Sequence, residues 1–182
     1  MRKRRKQSFA GIIAERRERL IIREGYLSLI ARALVLAAAG AVLFTQVFLV
    51  AQNTGQGMFP ALKDGDLMIV FRLQGDYAKN DVLAYRQEDG RYVGRVVAAA
   101  GDVVMIDEEG ELTVNDAPQS GDILYPTYPR EGGLAYPYTV PEGCVFLMGD
   151  YRTQTLDSRD FGAIPLERVE GKVITILRRR GL

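Results

Sequence analysis

The sequence predicts a mainly β protein, an antiparallel β-sheet domain behind one N-terminal transmembrane helix. Three observations carry that expectation. Residues 33–51 form a run of 19 residues without a charge. After residue 52 the helical period fades, and short apolar runs alternate with Gly, Asp and Asn turn signals. The charge balance breaks at the same boundary. Residues 1–52 hold ten basic and three acidic side chains, a balance of +7, whereas the remainder holds fourteen and twenty, a balance of −6.

Taken in order, residues 1–25 read as a basic cytoplasmic segment. Residues 8–23 place Phe9, Ile12, Ile13, Leu20 and Ile21 near one helical face, with Arg16, Arg17 and Arg19 between them. Such a stretch either lies on anionic lipid or is a solvated tail that sets topology. Residues 26–52 read as the transmembrane helix. At ~1.5 Å per residue the uncharged run spans about 28 Å, close to the ~30 Å hydrocarbon core. The rival is a cleaved secretory signal. The length of the run and the lack of a small-x-small exit around Val50-Ala51-Gln52 favour an uncleaved anchor. The positive-inside rule then puts the N-terminus in the cytoplasm and residues 53–182 outside a cell membrane crossed once.

Within residues 53–182 the candidate strands are 67–71, 82–85, 92–99, 103–106, 112–114, 144–148 and 173–177. Turn signals separate them at Asp64-Gly65-Asp66, Glu88-Asp89-Gly90, Gly101-Asp102 and Glu109-Gly110. Residues 118–143 contain five of the seven prolines, interleaved with Tyr125, Tyr128, Tyr136 and Tyr138. This reads as an irregular surface excursion, with a Tyr-rich contact surface as the alternative.

Composition excludes much chemistry. The 182 residues include no His and one Cys, Cys144. A Ser-His-Asp triad, a Cys-His dyad, a His-ligated or Cys-rich metal site and an intrachain disulfide are therefore out of reach. No cofactor and no metal are expected. The basic side chains cluster beside the apolar run, which points to the lipid bilayer as partner and away from nucleic acid.

Three segments carry a resemblance. The first is Gly55-Gln56-Gly57-Met58-Phe59-Pro60-Ala61-Leu62, followed by an Asp64-Gly65-Asp66 turn. The second is Tyr92-Val93-Gly94-Arg95-Val96-Val97-Ala98-Ala99-Ala100-Gly101-Asp102. The third runs Gly149-Asp150-Tyr151-Arg152-Thr153-Gln154-Thr155-Leu156-Asp157-Ser158-Arg159-Asp160-Phe161-Gly162. In order and spacing they resemble the S-M-x-P-T-L, K-R-V-x-G-x-P-G-D and G-D-N-R-x-x-S-x-D-S-R-x-F-G segments of the type I signal peptidases, family S26. The resemblance covers about residues 33–177. It implies a membrane-anchored serine peptidase that removes signal peptides with a Ser–Lys dyad, the Lys kept neutral by burial so that it can take the Ser proton.

At the two positions that matter this chain departs from the pattern. The nucleophile position is Gly57 and the general-base position is Gly94. Outside the anchor there are only Lys63, Lys79 and Lys172, and the hydroxyl nearest to Gly57 in sequence is that of Thr54. No catalytic residue is retained. The resemblance also implies a substrate groove lined by Met58, Pro60 and Leu62, widened by the two glycines. It implies a scaffold built from Asp150, Arg152, Thr155, Asp157, Ser158 and Arg159, in which an Arg–carboxylate pair holds the loop to the sheet. The expectation is a pseudoenzyme that binds an extracytoplasmic protein or peptide without cutting it. Its partner would be a pilin, a sortase or a preprotein, as for dyad-less family members associated with surface pilus assembly in Gram-positive bacteria. The alternative is an active type I signal peptidase that removes signal peptides from secreted preproteins, with its nucleophile supplied from elsewhere.

Overall fold

A computed structural model describes residues 9–119 and 125–178. The chain divides into two units, residues 1–45 and 46–182.

The first unit is dominated by helix α1, Phe9–Val47. Ala and Leu fill it, Pro is absent, and glycine occurs at three positions, Gly11, Gly25 and Gly40. Its part Ile22–Val47, 26 residues, is long and apolar enough to cross a membrane. The apolar side chains there, among them Leu29, Leu34, Leu36 and Leu43, are exposed. The interior of a soluble core would have covered them. The expected amphipathic face at residues 8–23 falls mostly on side chains outside the described residues.

The helix ends earlier than its apolarity alone indicates. The expected span of 26–52 stops at Val47, and Phe48–Gln52 forms strand β1. The cause is pairing. β1 lies antiparallel to β2, Leu67–Phe71, in register from Phe48 opposite Phe71 to Gln52 opposite Leu67. Phe48, Leu49 and Val50 suit a strand as well as a membrane span, so a ladder partner decides between them.

The second unit is mainly antiparallel β. Its further strands are β3, Val82–Gln87, β4, Gly90–Ala99, β5, Val103–Ile106, β6, Leu112–Val114, and β7, Ala117–Pro118. There follow β8, Tyr138–Thr139, β9, Cys144–Met148, a short helix α2, Ser158–Phe161, β10, Ile164–Pro165, and β11, Val169–Leu177. A seven-stranded sheet runs β1-β2-β11-β3-β4-β9-β10, and a four-stranded sheet runs β7-β6-β5-β8. The seven expected strands are all present, with several ends extended. The excursion at 118–143 is less irregular than expected, because β8 pairs with β5 there. Residues 120–124 of it lie outside the described residues.

Period-two alternation splits the interior. Val145 and Leu147 of β9 pack with Leu83, Tyr85 and Val96 on one side of the large sheet. Phe146 and Met148 pack with Val97, Val104, Leu112 and Val114 beside the small sheet. A third cluster joins Met58, Leu62, Met68, Val70 and Ala84. In β11, Gly171 has φ 144° and lies against the backbone carbonyl of Phe71. No side chain fits there, and the register with β3 shifts between Val169 and Gly171.

Candidate functional site

The first segment is a loop held from both ends. Asn53, itself buried, donates from its backbone N–H to Asp66 O (2.8 Å) and from Nδ2 to Lys63 O (3.0 Å). Gly55 N donates to Asp64 Oδ1 (2.7 Å), and Lys63 N to Asp66 Oδ2 (3.0 Å). These Asx contacts fold the Asp64-Gly65-Asp66 turn back onto residues 53–55. Beyond them Met58 and Leu62 sink into the core, joined by Leu62 N donating to Met58 O at 2.8 Å. Gly57 therefore sits on a short bridge between a pinned turn and two core anchors. Its carbonyl accepts from Tyr151 N at 3.0 Å.

Gly94 lies mid-strand in β4, opposite Leu83 of β3. A Cβ built there would stand 3.1 Å from Leu147 Cβ and 3.4 Å from Tyr85 Cε1. At Gly57 a Cβ would stand 2.8 Å from Thr155 Oγ1. A side chain at position 57 would meet Thr155, and one at position 94 would meet Leu147 and Tyr85, so neither glycine faces a void of side-chain size.

The third segment is the most tightly bonded part of the unit. Arg159 and Asp157 face each other through two bonds of 2.9 Å, each side chain only 1% exposed. Arg159 also donates to Arg152 O (2.5 Å) and Tyr128 O (3.1 Å). Asp157 caps α2, its carboxylate accepting from Arg159 N and its backbone N–H donating to Asp160 Oδ2. It also accepts from Gly149 N at 3.2 Å. Ser158 Oγ accepts from Leu147 N at 2.9 Å, tying α2 to β9. Of the expected scaffold, Arg152, Asp157 and Arg159 form one connected network, Ser158 ties α2 to β9, and Thr155 lies on the flank.

Two partners of this scaffold escaped sequence reasoning. Asp150 pairs with Arg95 of β4 through bonds of 2.8 and 2.6 Å, which holds that guanidinium above its ordinary pKa. Arg95 stands in the second segment directly after Gly94, and its partner Asp150 lies 55 residues further on. Among the described residues Arg152 hydrogen-bonds no carboxylate. It donates to Gly149 O, Thr127 Oγ1 (2.7 Å) and Gln119 Oε1 (2.9 Å). Burial pulls it down to about 10, partly offset by Asp157 nearby, so it remains a cation at neutral pH. Neutral acceptors from residues 119 and 127 leave no pattern that a sequence reveals.

A cavity of roughly 470 Å³ lies between the three segments, lined by residues 52–58, Met68, 89–93 and 154–156. Gly57, Met58 and Thr155 line it. Of the other expected groove residues, Leu62 is fully buried in the core and Pro60 is exposed, and neither lines the cavity. Gly94 is absent from the lining, while its neighbours Tyr92 and Val93 are present. One wall is the β3–β4 hairpin. There Tyr92 Oη donates to Asp89 Oδ2 (2.7 Å), and Arg91 shares the Glu170 carboxylate with Arg86. The Arg91 hydrogen bond holds the Glu170 carboxyl below the usual range. Tyr85 stacks on Tyr92 at a centroid distance of 5.8 Å. The Tyr85 hydroxyl is buried with no partner among the described residues, and burial pushes it well above the ordinary phenol value, with Asp157 adding to the shift. No metal-like cluster of His, Cys, Asp or Glu occurs among the described residues.

Residues 25–177 match the family described as signal peptidase, peptidase S26. The signal peptidase I of Bacillus caldolyticus is 32% identical over 136 residues, which is 65% of this chain and 73% of that protein. Signal peptidase IB of Staphylococcus aureus is 30% identical over 159 residues, covering 76% of this chain and 83% of that protein. The crystal structure of a signal peptidase I from Enterococcus faecalis is 27% identical, with a TM-score of 0.44, covering 55% of this chain and 97% of that one.

Proposed function

The chain belongs to the peptidase S26 signal peptidase family, and from that premise we propose that it is a member that holds an extended peptide and does not cut it. One observation carries this reading. The positions matching the family dyad are Gly57 and Gly94, and a side chain added at either would press on a neighbour. A serine at 57 would need Thr155 to turn away. A lysine at 94 would need the buried Leu147 to yield by a few tenths of an ångström. Neither glycine supplies a nucleophile or a base, and loss of either partner alone would cripple a dyad.

What is retained supports binding. The cavity has a backbone floor at Gly57 and a strand wall at residues 90–93, an arrangement that accepts an extended chain by main-chain pairing. The apolar helix anchors the protein in a cell membrane, with the basic N-terminus cytoplasmic and the β unit outside. The occupant is a secreted or surface protein presented beside the membrane. A preprotein fits by family, and a pilin or sortase of a surface pilus fits a member without the dyad.

Cleavage is the test. Full-length protein in detergent is incubated with a precursor carrying an Ala-x-Ala signal site, and the products are read by mass spectrometry. The expected outcome is an intact precursor that co-elutes with the protein. Hydrolysis at the site that persists through purification to homogeneity would sink the reading and return the chain to the active signal peptidases.

A further inference from the structure

The cavity leaves one half-buried polar group nearly unspent. Among its polar side chains, Gln52 donates to Gly65 O, Asn53 to Lys63 O, Tyr92 to Asp89, and Arg91 to Glu170. Thr54, Gln56 and Gln154 are exposed to solvent. Thr155 differs from both sets. It is half-buried, and among the described residues its hydroxyl makes one long bond, donating at 3.3 Å to the carbonyl of its neighbour Leu156.

The placement of that hydroxyl is fixed from several sides. Arg130 Nη2 donates to the Thr155 carbonyl at 2.6 Å, which pins the backbone. The side chain lies across Gly149, where an added Cβ would stand 2.5 Å from both Oγ1 and Cγ2. On its other side it faces Gly57, with Oγ1 at 2.8 Å from where a Cβ would begin. Two glycines therefore make a seat for Thr155, and the seat presents a hydroxyl at the cavity floor beside the place where a nucleophile's side chain would start.

We propose that Thr155 is a ligand-binding residue, its hydroxyl donating a hydrogen bond to a backbone carbonyl of an extended peptide that crosses Gly57. This rests on the reading of the cavity as a peptide groove, and it gives the hydroxyl a task that needs no lysine. A hydroxyl with a 3.3 Å bond is poorly satisfied, and a peptide carbonyl completes it. A carbonyl matches this donor whatever the peptide's side chains, so the contact sets position and leaves sequence preference to the cavity walls.

The test uses full-length protein in dodecyl maltoside micelles. The probe is a fluorescein-labelled peptide made of an apolar signal-sequence core followed by Ala-x-Ala, and binding is read by anisotropy. Thr155→Val keeps the shape and removes the donor, and Thr155→Ser keeps the donor. The expected result is about a three- to tenfold weaker Kd for Thr155→Val and near wild-type binding for Thr155→Ser, the range that loss of one neutral hydrogen bond produces. A thioamide series of the probe, one carbonyl replaced at a time, separates contact from packing. One position should weaken wild-type binding and leave Thr155→Val unaffected. Unchanged binding by a folded Thr155→Val, or weakened binding that couples to no thioamide position, would overturn the assignment while leaving the peptide groove standing. A wild-type protein that does not bind the probe at all would overturn the groove reading itself, and the assignment with it.

Discussion

The loop from Gly149 to Gly162 and the pair Gly57 and Gly94 have opposite characters. In the loop, buried charge is held by hydrogen bonds, Arg152 by neutral acceptors and the others by opposite charges. Arg159 answers Asp157, Asp157 caps α2, and Asp150 answers Arg95. At the glycines there is no functional group, and the neighbours Thr155, Leu147 and Tyr85 occupy the approaches. The difference separates what holds the fold from what performs chemistry. A buried ion pair cannot lose one partner without stranding the other. A nucleophile and a base can both be lost at little structural cost, since a neutral amine forced into an apolar site stabilises nothing.

That contrast can be broken or sharpened by substitution. The largest effect is expected in the loop. Arg159→Met leaves the Asp157 carboxylate buried and unpaired, and should destabilise by about 3–5 kcal/mol in urea unfolding followed by circular dichroism. A cost below about 1 kcal/mol would place that pair among ordinary surface pairs and erase the distinction.

Glycines in the two regions should then differ. Gly149→Ala puts a Cβ 2.5 Å from the Gly57 carbonyl and from Thr155, which cannot both move, and should cost about 1–3 kcal/mol. Gly94→Ala meets Leu147 Cβ at 3.1 Å and otherwise makes ordinary contacts, and the strand regains what glycine forfeits there, so its net cost should stay within about 1 kcal/mol. Equal losses would show the vacated base position to be as constrained as the loop.

The smallest effect concerns the cavity wall. Arg91, with Arg86, lowers the Glu170 pKa in the folded state. The unfolded chain then takes up the Glu170 proton at higher pH than the folded chain does. The contribution is complete above the ordinary glutamate pKa of about 4.3 and is lost as pH falls through the lower folded value. Glu170→Gln should therefore flatten the acid end of the stability–pH curve and leave its slope above pH ~6 unchanged. A slope change confined to neutral pH would assign the pH dependence to another group.

Much of the fold was legible in the sequence because apolar alternation and turn residues declare strands locally. The seven expected strands appear where Asp-Gly and Glu-Gly signals bracket them. β1 was hidden inside an apolar run whose two halves have different fates, and only β2, fifteen residues further on, distinguishes them. The motif positions identified the cavity region, since Gly57, Met58 and Thr155 line it. Leu62 was misjudged because an apolar side chain next to a groove and one beneath it read alike. The packing around both glycine positions was also out of sight, since it depends on where Thr155 and Leu147 point and not on residue type.

Arg152 has a consequence for how this fold holds together. Its guanidinium fastens Gln119 and Thr127 to the Gly149 carbonyl at the start of the loop. One side chain thus joins three sequence-distant stretches into a single cooperative unit, and whatever displaces it loosens all of them together.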